Sequence, residues 1–251
     1  MPPHSDLEDT YILHVRLAHT KDPTISRVLC VPADLEFNLF HLVLQAAFGW
    51  AETHLYKFTV SKPLPRGQER TRLMPLENDL LTIHDSDEGW DDEEPMLAAM
   101  ARLTGRPPPP TIPKALASER TLASVFADPQ FANGKAEVVY EYDFGDGWYH
   151  EITLLGKAEG DFARKQIGKG VPVEGQMTWC VAGEGHPCAE DAGGPSGWEE
   201  VKRAFAGSTE PRAAELREWY TTYCSNGDRE GLNPWKWDIF EVNQRLASLH
   251  C

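Results

Sequence analysis

Residues Ala136 to Phe144 and Trp148 to Leu155 alternate between apolar and polar side chains, and Gly145-Asp146-Gly147 joins them. Alternation with period two sends every second side chain to one face of a strand, and a Gly/Asp turn between two such runs folds them into an antiparallel hairpin. The turn can close in two ways. With Asp146-Gly147 at its centre, Asp143 faces His150 across the ladder; with Gly145-Asp146 at its centre, Glu141 faces it. Cross-strand partners sit within about 5.5 Å at Cβ, so either register places a carboxylate beside the imidazole. A carboxylate that orients a histidine is what a general base needs, and Trp148 would add an apolar wall. The competing reading is a plain hairpin, with aromatics filling the core and Asp146 serving only the turn.

The rest of the chain extends this sheet. Tyr11, Leu13, Val15 and Leu17 alternate, and Ile25 to Val31 follows the Lys21-Asp22-Pro23 turn as a second strand stopped by Pro32. Asp34 is positioned to cap a helix carrying Leu35, Leu39, Val43 and Ala46, which Gly49 would end as a left-handed cap. His54, Tyr56, Phe58 and Val60 alternate again. Further on, Ser196 and Glu199 have capping-box spacing, Pro211 suits a first helical turn, and Asp238 with Glu241 opens a helix running to Leu249. Strands and helices do not alternate strictly, so the expected fold is α+β: a mainly antiparallel sheet with packed helices.

Residues 61–120 differ in composition. They hold Pro63, Pro65, Pro75, Pro107 to Pro110 and Pro113, and Glu77 to Glu94 carries nine acidic side chains without a Lys or Arg. A solvated loop is the ordinary meaning of such a run, and a surface for a basic protein partner is the alternative. A strand at Leu80 to His84 and a helix at Pro95 to Leu103 are expected within it. The chain is therefore read as one compact α+β domain, 1–251, with its core at about 11–60 and 121–250 and an acidic, proline-rich insertion at about 61–120.

Charge excludes some functions. Lys and Arg number 24 against 39 Asp and Glu, a formal net of -15, and no stretch is rich in cations. A nucleic-acid binder needs cations to neutralise phosphates, so neither nucleic acid nor an anionic membrane surface is an expected partner. No run of eighteen apolar residues is present to span a bilayer. Five scattered cysteines (Cys30, Cys180, Cys188, Cys224, Cys251) do not form an oxidised framework, and no signal peptide is visible at the start. The expected address is cytoplasmic, or nuclear.

A second stretch, Trp179 to Pro195, concentrates Gly, Pro, thiol, imidazole and carboxylate groups. Cys180, His186 and Cys188 are soft-metal ligand types, but C-x5-H-x-C is not a common zinc spacing and no fourth ligand lies nearby. The segment is read as an ordered loop in which Gly193-Gly194 lets backbones approach closely. No metal or cofactor is expected, zinc at these three residues being the weak exception. A phosphate cradle is disfavoured, since no Lys or Arg lies between Gly183 and Gly197.

Together with Val31-Pro32-Ala33, Gln45-Ala46-Ala47-Phe48-Gly49-Trp50, His54-Leu55-Tyr56 and Asp238-Ile239-Phe240-Glu241-Val242-Asn243, the Tyr142-Asp143-Phe144-Gly145-Asp146-Gly147-Trp148-x-His150 and Gly193-Gly194-Pro195-x-Gly197 motifs resemble one family. It is the Ri-plasmid open-reading-frame-three-like family, whose members are also labelled insertion-element passenger or resolvase-like proteins. The resemblance covers about residues 11–60 and 121–250. It implies a compact α+β domain and brings no settled biochemical activity. The resolvase-like label has no support in this chain, which lacks clustered arginines beside a nucleophile and a basic reading helix. Two positions depart from the family pattern: Ser26 stands where relatives often carry Trp, and Ala192 where many carry a Cys.

The functional expectation is a small-molecule pocket, with acid-base chemistry by His150 and Asp143 or Glu141 and no nucleotide cofactor. Its binding residues would be His54, Tyr56, Tyr142, Trp148, Glu184 and Asp191, with the loop at 180–195 as a wall. The alternative is a protein-interaction module working through the acidic insertion.

Overall fold

The computed structural model describes residues 10–63, 78–88, 98–99, 101–105, 111–131, 135–158 and 176–249. In chain order the elements are β1 (Thr10–Leu17), β2 (Ile25–Pro32), α1 (Phe37–Phe48), β3 (Tyr56–Ser61), β4 (Asp79–His84) and β5 (Lys114–Leu116). A short α2 (Ala123–Phe126) precedes β6 (Glu137–Tyr142), β7 (Trp148–Ala158) and β8 (Trp179–Glu184), and α3 (Gly194–Phe205), α4 (Pro211–Thr222) and α5 (Ile239–Ala247) complete the chain. The strands form one sheet in the order β5-β4-β3-β6-β7-β1-β2-β8. Among the described residues only β4 and β5 pair in parallel; the fold is α+β with a mainly antiparallel sheet, as expected. Among the described residues no helix is long and apolar enough to cross a membrane.

Period-two alternation sorts the sheet into two faces. Leu13, Val15, Leu29, Phe58, Val138, Tyr140, Trp148 and Ile152 are all buried in one cluster with Phe37, Phe40, Leu44 and Phe48 of α1. Phe58 meets Phe37 and Phe40 ring to ring, with centroids 4.9 and 5.9 Å apart. The opposite face is more polar: Arg16 of β1 pairs there with Glu151 of β7. A few fully buried aromatics account for much of such a core, each contributing several kcal/mol of transfer free energy.

α1 starts later than its sequence suggests. Glu36 is its N-cap, without a side-chain hydrogen bond, and Asp34 lies outside. The buried positions are Phe37, Phe40, His41, Val43, Leu44, Gln45, Ala47 and Phe48; Val43 faces inward as expected, while Leu39 and Ala46 are only half-buried. Larger aromatics won the inward face, since they remove more apolar area from water. Gly49 ends the helix at φ 69°, as anticipated. The Ser196–Glu199 capping box does not form: α3 begins at Gly194, so Ser196 is already helical. Asp238 does cap α5, accepting from the N–H groups of Phe240 and Glu241.

Residues read as a loop and as an insertion supply strands. Trp179 to Glu184 is β8, paired with β2 at the sheet edge. β4 and β5 extend the sheet beyond β3, and Leu81 and Ile83 are buried in the main core. The expected helix at 95–103 is helical at 98–99 and 101–104, its remaining positions lying outside the described residues. The proline run at 107–110 also lies outside them. Because Ile83 is fully buried, Ile83→Ala should lower the unfolding free energy by about 2–5 kcal/mol in a denaturant melt. A loss under about 0.5 kcal/mol, the size of a surface change, would show that β4 is not part of the core.

Candidate functional site

The hairpin closes in neither expected register. Tyr142 pairs with Trp148, Glu141 with Tyr149 and Tyr140 with His150, leaving a five-residue loop, Asp143 to Gly147. The extra length comes from Asp143, which takes a left-handed conformation (φ 55°) and folds its carboxylate back: Oδ1 accepts from the N–H groups of Gly145 and Asp146 at 2.9 and 3.2 Å. Aspartate tolerates this conformation because its side chain can satisfy local N–H groups.

The register removes the expected His150–carboxylate pair. His150 is fully buried, with its ring against Phe48, Trp50 and Tyr140 at centroid distances of 4.6, 5.1 and 5.2 Å. Burial pushes its pKa down to about 3, only partly countered by the carbonyls of Tyr140 and Trp148. Neither ring nitrogen has a well-directed hydrogen bond. Glu141 points to the other face, where its carboxylate accepts from the Tyr149 hydroxyl at 3.0 Å and pairs with Lys57 at 2.9 Å. Trp148 is fully buried, and Tyr56 nearly so with its hydroxyl donating to Asp85 at 3.0 Å. Glu184 is exposed on the edge strand β8, where it pairs with Ser26 and its backbone carbonyl accepts from Arg27.

What the fold does gather is His54, Asp143 and Asp191. His54 Nε2 lies 2.8 Å from Asp191 Oδ1 and 3.7 Å from Asp143 Oδ2. One ligand atom from each of the three falls within 4.8 Å of the others. Asp191 also adopts a left-handed backbone, at φ 63°. The imidazole is about 31% exposed, and its face is set by the Tyr142 ring, edge-on at 5.6 Å. Nδ1 of His54 has no hydrogen-bond partner among the described residues.

The support beneath this trio was not foreseen. Glu190, 2% exposed, accepts from the Tyr142 hydroxyl at 2.6 Å, from Ala51 N–H at 2.9 Å and from the Ser225 hydroxyl at 2.8 Å. The Tyr142 oxygen in turn accepts from Thr53 N–H at 3.0 Å. A carboxylate leaves water only when its lone pairs are met, so these bonds hold 51–53, β6 and the loop at 190 together. Gly194 completes the docking. At φ 72° its hydrogen faces the Asp146 carbonyl, which a Cβ would approach to 2.3 Å, and Asp146 Oδ2 accepts from Gly193 N–H. A second unforeseen group lies deeper: the Tyr140 hydroxyl is held by His41 Nδ1 at 2.7 Å and Gln45 at 2.9 Å. Burial brings His41 down to about 4. His41 and Gln45 were legible as polar residues at helical spacing on an otherwise apolar stripe.

Cys180, His186 and Cys188 do not assemble a ligand set. Cys180 Sγ donates to Ala182 O, and His186 is hydrogen-bonded to Pro187 O and the Tyr220 hydroxyl. Burial raises the thiols of both Cys180 and Cys188. A cavity of about 530 Å³ does lie beside this stretch, and it includes His186 and Pro187 but none of His54, Tyr56, Trp148 or His150.

These features define a class: a single mixed sheet, covered on one face by helices, with a polar centre where the β6–β7 loop meets the turn before α3. The chain belongs to the plasmid pRiA4b ORF-3-like protein family, whose model matches residues 9–244. It is 31% identical over 219 residues to the uncharacterized protein y4hQ of Sinorhizobium fredii (strain NBRC 101917 / NGR234), covering 86% of this chain and 81% of the relative. The crystal structure of MM3350 from Methanosarcina mazei Go1, a protein of unknown function, shares the fold at a TM-score of 0.59 and 20% identity, covering 93% of this chain and 97% of that one.

The buried histidines have a measurable consequence. Both have folded-state pKa values depressed below the unfolded value near 6.5, so protonation favours unfolding. Their stabilising contribution is complete above about pH 6.5 and is lost as pH falls toward the folded values, by up to about 1.4 kcal/mol per pH unit for each histidine. Denaturant melts between these limits should show a shallower acid slope for His150→Gln than for the wild type. Equal slopes would mean that His150 is protonated in the fold.

Proposed function

We propose that the protein is a small-molecule binder with acid-base capacity, working without a nucleotide cofactor, and that its centre is His54 with Asp143 and Asp191. The observation that carries this reading is the 2.8 Å contact between His54 Nε2 and Asp191 Oδ1, with Nδ1 left unbonded among the described residues. A neutral imidazole held as an Nε2–H donor presents its lone pair at Nδ1. Nδ1 then takes a proton from a bound molecule, while Asp191 and Asp143 stabilise the imidazolium that results. The carboxylate-histidine pair read from the hairpin is thus reassigned: Asp143 keeps a role, and His54 replaces His150.

A second reading has its own observation, the convergence of three ligand atoms within 4.8 Å. One nitrogen and two carboxylate oxygens suit a divalent cation such as borderline Zn²⁺ or harder Mn²⁺. The interaction module is supported less well. Two of the acidic side chains it would use are engaged within the fold, Asp79 with Ser61 and Asp85 with Tyr56.

The test is a thermal-shift screen against small metabolites and, separately, Zn²⁺ and Mn²⁺, run on wild type, His54→Gln and Asp191→Asn. Both substitutions are at partly exposed positions and should cost less than about 1 kcal/mol of stability. At least one metabolite that raises the wild-type Tm should fail to do so in both variants, since a ligand stabilises by mass action only while its site is intact. The absence of any metabolite shift that both substitutions abolish would overturn the proposal, and a shift given by the cations alone would favour the metal reading.

A further inference from the structure

The cavity beside β8 holds four cationic side chains against three carboxylates, in a chain whose formal net charge is -15. Arg27 is the deepest of them. It sits on the helix-facing side of β2, between Ile25 and Leu29, and is fully buried. Four of its five N–H groups reach backbone carbonyls: Ala47, Ser26, Glu184 and Gly185 at 2.6 to 3.3 Å. Its guanidinium lies between the Phe48 and Trp237 rings, 5.3 and 5.5 Å from their centroids. No carboxylate pairs with it among the described residues. Burial lowers its pKa to about 10, so it stays charged at neutral pH.

The other lining charges do not compensate Arg27. Arg245 donates to the Ala46 carbonyl at 2.8 Å and is also partly buried. Arg229 is exposed at the rim. Of the three lining carboxylates, Asp228 is tied to Lys236 at 2.7 Å, and Asp238 is spent capping α5. With Glu241 they set three negative charges against the four positive ones of Arg27, Arg229, Lys236 and Arg245, a surplus of one cation. A buried guanidinium satisfied by dipoles but not by a counter-charge is costly, and an anion entering the cavity offsets that cost. The Trp237 ring and Val242 add apolar wall, and the volume of about 530 Å³ suits a metabolite-sized guest.

We propose that this cavity binds a small organic oxyanion, a carboxylate or phosphate monoester with an apolar body, its oxyanion toward Arg245 and Arg27 and its body on Trp237. The site is separate from the His54 centre and does not rest on it. Calorimetric titration of the full chain with phenyl phosphate, phenylacetate and neutral benzyl alcohol, at constant ionic strength, is the test. The two anions bind and the alcohol does not; the tighter anion identifies which oxyanion the site prefers. Arg245→Gln weakens binding by about tenfold or more, the loss of one charge-assisted contact. Arg229→Gln, an exposed change that leaves the fold intact, weakens it by a smaller factor and keeps the test decisive should Arg245→Gln misfold. Absence of anion binding, equal binding of benzyl alcohol, or unchanged affinity in Arg229→Gln together with a folded Arg245→Gln would overturn the assignment.

Discussion

The buried carboxylate of Glu190 is the constraint on which the rest of the candidate site depends. Its three donors come from Tyr142 on β6, from Ala51 behind α1 and from Ser225 behind α4. Removing any one leaves an anion out of water with too few partners, a penalty of a few kcal/mol. Three distant parts of the chain are therefore held at hydrogen-bonding distance. Because Asp191 is the next residue and His54 lies three beyond Ala51, the pin at Glu190 also sets the geometry of the His54–Asp143–Asp191 trio. Asp143, directly after Tyr142, arrives by the same route.

The same two segments, 49–54 and 186–191, serve two environments of opposite character. At one end lie two aspartates and a histidine; at the other, Gly49 and His186 border a cavity lined by arginines. Neither shows in the net charge, which describes the long-range field and not the potential inside a cleft. The acidic total bears on the long-range field and says little about the potential beside Arg27 and Arg245.

The sheet was legible because period-two alternation is a local signal: Tyr11 to Leu17, Ile25 to Val31 and the hairpin strands all lie where that pattern puts them. The hairpin register was not, because it turns on one backbone conformation. Asp143 at positive φ adds a residue to the loop, and a one-residue slip in pairing changes the partner of every side chain. β8 carries no such signal, because its Gly and Pro neighbours have the composition of a loop. Of the site, His54, Asp143 and Asp191 were all singled out by residue type, but their meeting depends on a contact across 137 positions that carries no local signal. Glu190 is hidden for the same reason, its partners at Ala51 and Tyr142 being 139 and 48 positions away. Arg27 was more accessible, as a charged residue in an inward-facing apolar series, Ile25, Leu29 and Val31.

The most direct test of the central claim is the tautomer of His54, read from long-range ¹⁵N–¹H correlations at a pH alkaline enough for the imidazole to be neutral. Asp191 accepting from Nε2 predicts an Nε2–H tautomer with a bare Nδ1 for His54, reverting toward the mixture of a free histidine in Asp191→Asn. A His54 protonated at Nδ1, or one unaffected by that substitution, would contradict the account.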